Sequence, residues 1–120
     1  MVDLQSKPKY NMVFACSGAA DVGGISDLAA RELAKEGNAS MCCTAAIAAK
    51  IPEILDKTKG AEKILAIDGC SKQCTKIVLE NEGFNMFDYL QLEDMGMEKG
   101  ISPATPDRID TVLNAARPLL

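Results

Sequence analysis

The chain is 120 residues long, 48% apolar and 25% charged, with five cysteines and no histidine. That length and balance suit one globular domain with a core of its own and exclude a disordered polar chain. A formal net charge of −4, with scattered Lys and Arg and few aromatics, argues against a nucleic-acid binder, since there is no basic stripe and little to stack on bases.

Residues 1–10 read as a polar tail punctuated by Pro8, ahead of a single domain over residues 11–120. The tail has no apolar h-region, and no run nears the ~18 apolar residues of a membrane span, so neither export nor a membrane is expected. The expected location is the cytoplasm, where thiols stay reduced, and an odd number of cysteines is awkward for a disulfide framework.

Asn11–Ala15 is a short continuous apolar run, as in a strand buried on both faces, and Cys16-Ser-Gly18 follows as a small-residue turn. Ile25, Leu28, Ala29 and Leu33 fall at helical spacing and predict a helix over about 25–36, stopped by Gly37. Ala39–Thr44 fits a short strand, and Ala45–Lys50 has helical composition. Pro52 can open a further helix that Gly60 ends. Lys63–Asp68 is the cleanest strand, Gly69-Cys70 its turn, and Ser71–Glu82 the predicted helix after it. Met86–Leu92 alternates like a fourth strand, and residues 96–103 read as a loop. The last helix takes Thr105 as cap and Pro106 as first residue, with Ile109, Val112, Leu113 and Ala116 on one apolar face.

Alternating strands and helices predict an α/β domain: a mostly parallel sheet of about four strands flanked by helices, Rossmann-like or flavodoxin-like, with right-handed crossovers. Ligands of such sheets bind outside the carboxyl ends of the strands. Cys16, Cys43 and Cys70 recur every 27 residues, a period that suits one strand–helix unit, and each ends or follows an apolar run. Parallel strands would bring them to one edge, with Cys74 a helical turn beyond Cys70.

Four thiols gathered without histidine point to a metal, since zinc takes four tetrahedral ligands and accepts an all-thiolate shell. A helix start under Cys70 would add exposed amides and partial positive charge, which favour thiolate over thiol. Neighbouring residues of a strand face opposite ways, so Cys42 and Cys43 cannot both serve from extended backbone. The equal spacing favours Cys43 and leaves Cys42 as a core thiol or reserve nucleophile. The bland alternative is that some of these thiols are small buried hydrophobes.

Residues 16–24 are glycine-containing but lack the spacing of a dinucleotide loop and the Gly-Lys-Ser/Thr ending of a phosphate loop. Their glycines are read as letting the backbone pack close to a neighbour. Asp21 and Asp68 flank the site in sequence and are read as turn carboxylates that accept backbone amides.

Ile67-Asp68-Gly69-Cys70 followed by Cys74, with Cys16-Ser-Gly18 and Met41-Cys-Cys43 before it, resembles the DGC-domain proteins, a small prokaryotic family named for its Asp-Gly-Cys tripeptide. The resemblance runs from about Met12 to Phe84. It implies zinc binding through Cys16, Cys43, Cys70 and Cys74 and implies no particular reaction. The leading expectation is a zinc-binding protein with a structural, sensing or metal-handling role, not an enzyme, because no histidine or other evident general base stands beside the cysteines. The alternatives are thiol redox or sulfur transfer through Cys70 and Cys74, and an iron–sulfur protein, whose common ligand spacings this chain does not match.

Overall fold

A computed structural model describes residues 9–120 of the chain; the expected tail, apart from Lys9 and Tyr10, lies outside the described residues. Strands β1 (Asn11–Ala15), β2 (Ser40–Cys42), β3 (Lys63–Asp68) and β4 (Asp88–Gln91) form one sheet in the order β2-β1-β3-β4, with every pairing parallel. Helices α1 (Asp21–Lys35), α2 (Thr44–Ala48), α3 (Pro52–Lys59), α4 (Cys74–Asn81) and α5 (Pro106–Ala116) cover it. The strand order reverses beside β1, which is where open α/β sheets form their ligand crevice.

Side-chain parity along the strands builds two cores. Val13, Ala15, Leu65 and Ile67 cluster with Ile25, Ala29 and Leu33 of α1 and with Val112, Leu113 and Ala116 of α5. Met12, Phe14, Ile64 and Ala66 cluster with Ile47 of α2 and Leu79 of α4, and Ile54 and Leu55 of α3 pack against them. Alternate residues of a strand point to opposite faces, so the four consecutive buried apolar residues of β1, Met12–Ala15, require helices on both sides. Burying each large side chain contributes about 1.5–3 kcal/mol, which makes these two layers the main stabilising force. Among the described residues no helix is long and apolar enough to cross a membrane.

Several boundaries differ from the sequence reading, each for a tertiary reason. α1 begins at Asp21, four residues before Ile25, with Gly23 and Gly24 inside its first turn. A Cβ on Gly23 would come within 2.8 Å of the Gly18 carbonyl oxygen, so the glycine serves close packing and not a loop. α4 begins at Cys74, not Ser71, because Gln73 adopts a left-handed conformation (φ 58°) that breaks any helix before it. β4 is confined to Asp88–Gln91, and Leu92–Met95 forms a 3-10 turn. α5 starts as expected, with the Thr105 hydroxyl accepting from the Arg108 amide.

Candidate functional site

The carboxyl ends of β1, β2 and β3 lie side by side. Phe14 pairs with Cys42, Ala15 pairs with Ile67, and the Cys16 amide donates to the Ile67 carbonyl at 2.9 Å. Above these ends opens a cleft of about 870 Å³, walled by Cys16, Cys42, Cys43 and Cys74, with Thr75 and Met41 beside them. Cys43 and Cys74 are exposed, Cys16 and Cys42 half-buried, and all five cysteines of the chain are free thiols.

Each sulfur is held there by a local device. The Cys16 carbonyl accepts from the Ser26 hydroxyl, which also donates to the Gly23 carbonyl at 2.9 Å and ties the turn to α1. The Thr44 hydroxyl donates to the Ala15 carbonyl at 3.1 Å, binding the start of α2 to the end of β1. β2 ends at Cys42, and Cys43 is already the residue that caps α2. Cys43 is still extended (φ −79°, ψ 120°) and the chain turns into α2 only at Thr44, yet both cysteines line the cleft, Cys42 from the end of the strand and Cys43 from the cap. Cys42 also packs against the core beneath α2–α4, so it is wall and core at once.

Cys70 is placed differently from expectation. It lies in the turn before α4, not at a helix start, and packs half-buried against the opposite core, the one under α1 and α5. The turn from Gly69 to Gln73 carries the chain from that side of the sheet to the cleft, where Cys74 opens α4. Cys70 and Cys74 are thus not successive turns of one helix.

The Asp-Gly pair ahead of Cys70 has structural work. The Asp68 side chain, 1% exposed, accepts from the amides of Thr75 (2.9 Å) and Lys76 (3.1 Å) and from the Tyr89 hydroxyl (3.0 Å). It closes the N-terminus of α4 from within, where a negative charge is favoured. Burial, with Asp68 also acting in the same direction, pushes the Tyr89 phenol well above its ordinary value, so it stays a neutral donor. At Gly69 a Cβ would stand 2.7 Å from the backbone of Val22, so only glycine lets α1 approach. Asp21 likewise serves backbone: it accepts from the amides of Gly100 (2.9 Å) and Ser102 (2.8 Å) and anchors the late loop, and these bonds hold its carboxyl below the usual range. Both carboxylates match the turn role expected of them. On the cleft wall, Arg31 pairs with Asp27 at 2.8 Å, and Ser17 donates to the same carboxylate at 2.7 Å. Burial opposes ionisation of Asp27, but the bonds from Arg31 and Ser17 outweigh it and keep its carboxyl low.

A model of the DGC domain family matches residues 12–116. The chain belongs to the DGC domain family. The chain is also similar to the anaerobic and virulence modulator AnvM of Pseudomonas aeruginosa, at 30% identity over 88 residues, which cover 73% of this chain and 67% of that protein. No solved structure matches the chain.

Zinc, the ion that the resemblance to DGC-domain proteins implied, fits the donor chemistry of this cleft, since thiolates are among its preferred ligands. The spacing is looser than the chemistry. Among the described residues no three Cys, Asp or Glu side chains are grouped tightly enough to hold an ion. The turns that carry Cys16, Cys43 and Cys74 must draw together to close around one. Sequence reasoning placed only one of Cys42 and Cys43 at this edge and favoured Cys43, whereas both line the wall, and it missed Thr75, which no motif marks.

Proposed function

We propose that this DGC domain protein binds zinc through cysteine thiolates at the carboxyl edge of its sheet, in the cytoplasm, with a structural, sensing or metal-handling role. The observation that carries this reading is the meeting of Cys16, Cys43 and Cys74, from three distant segments, on one cleft beside the strand-order reversal. These three supply thiolates, and the fourth comes from Cys70 in the turn behind or from Cys42 on the wall. Bound in a closed thiolate shell, zinc would fix the three turns against one another.

Zinc titration of metal-free protein, read by metal analysis and thiol protection, tests this. About one equivalent per chain is expected, the stoichiometry of a four-thiolate site. Cys74→Ser should reduce uptake sharply, and Cys70→Ser compared with Cys42→Ser identifies the fourth ligand. Folded protein that takes up no zinc overturns the proposal, and brown protein from anaerobic purification would point to an iron–sulfur cluster instead.

A second reading is favoured by the exposure of Cys43 and Cys74 as free thiols and by a relative whose name is that of an anaerobic modulator. In it, Cys74 is a reactive thiol of a redox or sulfur-transfer protein, with Cys70 its sequence-nearest partner. A fast-reacting thiol in metal-free protein, unaffected by added zinc, would favour this reading over the first.

A further inference from the structure

The hydroxyls of the helical threonines here are accounted for, with one exception. Thr58 donates to the Ile54 carbonyl at 2.7 Å and Thr111 to the Asp107 carbonyl at 3.0 Å, each reaching back four residues in its own helix. Thr44, which opens α2, donates across to β1. Thr75 is 0% exposed, yet its hydroxyl finds no hydrogen-bond partner among the described residues. The reason is local: four residues back lies Ser71, outside the helix, and the left-handed Gln73 has already turned the chain away. A buried hydroxyl without a partner weakens a fold and calls for an explanation. Thr75 is also a wall residue of the cysteine cleft, immediately after Cys74.

The α4 N-terminus itself offers little to an anion, because Asp68 already takes the amides of Thr75 and Lys76. The Thr75 hydroxyl is a neutral donor without a partner, on a residue that shares the cleft wall with Cys16, Cys42, Cys43 and Cys74. We infer that Thr75 is a positioning residue of the thiolate centre, its hydroxyl reserved to donate to a cysteine sulfur once that sulfur is ionised and metal-bound. The inference rests on the zinc reading above and adds the residue that orients the ligand set from outside it. A thiolate accepts such a bond readily, whereas a neutral thiol is a weak acceptor, so the donor is engaged only in the loaded protein.

The experiment uses the full chain as wild type, Thr75→Val and Thr75→Ser, with zinc and Co²⁺ as the probes. Valine keeps the shape and removes the hydroxyl, so metal-free Thr75→Val should melt no lower than wild type. Its zinc affinity should fall by about 10–100-fold, as when other outer partners of metal ligands are removed. The sulfur-to-cobalt charge-transfer band of its Co²⁺ form should move to lower energy, because a thiolate that loses a donated hydrogen bond becomes a better electron donor. Thr75→Ser should restore the affinity and the band. Wild type and Thr75→Val that bind zinc equally, with the same cobalt band, overturn the inference and leave the zinc reading standing. Metal-free Thr75→Val that melts lower assigns the hydroxyl to the fold and also overturns it. Wild type that binds neither metal overturns both.

Discussion

Gly69 shows how one residue can be fixed by backbone alone. The main chain of Val22 and Gly23 occupies the space that a side chain would need, with the nearest atom 2.7 Å from the would-be Cβ. Neither strand nor helix can recede without disturbing the core they share. Gly69→Ala should therefore cost about 1–3 kcal/mol by overpacking, read as a lower urea midpoint in equilibrium unfolding. The Asp-Gly-Cys stretch thus divides its labour: Asp68 closes a helix, Gly69 admits another, and Cys70 packs beneath α1 and α5. Sequence alone marks these residues as special without saying which of the three does chemistry. Of the evenly spaced cysteines, Cys16 and Cys43 line the cleft. Cys70, which the same spacing grouped with them, packs in the turn behind, because the register of a turn is decided by close contacts between segments far apart in sequence.

At the level of elements, the start of α4 and the loop after β4 each hang on one carboxylate. Asp68→Ala would strand the buried Thr75 amide, the half-buried Lys76 amide and the Tyr89 hydroxyl, and a loss of about 2–3 kcal/mol is expected in denaturant unfolding, the range for bonds to a charged acceptor. Asp21 gives a pH-dependent counterpart. Its bonds to Gly100 and Ser102 lower its folded-state pKa, so the stabilisation is complete above the unfolded value of about 4 and lost as pH falls through the lower folded value. The protection factors of the Gly100 and Ser102 amides, exchange relative to the intrinsic rate at each pH, should fall on acidification through that range, and Asp21→Asn should remove the dependence. Elements with their own local signals were legible in advance: β3 from its unbroken apolar run, α3 from Pro52 and Gly60, α5 from Thr105 and Pro106. The start of α1 was not, since Gly23 and Gly24 look like punctuation until Gly18 is seen pressed against Gly23. The start of α4 was hidden for a related reason, because Gln73 carries no sign of its left-handed backbone.

For the molecule as a whole, the α/β architecture followed from alternation, and the sheet order then set which thiols meet. Alkylation of metal-free protein, followed site by site by mass spectrometry, should modify the exposed Cys43 and Cys74 first and the half-buried Cys16, Cys42 and Cys70 later. Zinc should then slow the reaction at the cleft sulfurs, and its effect on Cys70 reports whether that residue joins them. The strand order has a consequence for synthesis. β3 lies against β1 but is translated after β2, so Cys16, Cys42 and Cys43 are already synthesised before the segment bearing Cys74 exists. Until that segment emerges, the three early sulfurs have no completed wall opposite them, and they meet the cell's oxidants and reductants before the start of α4 can close the cleft beside them.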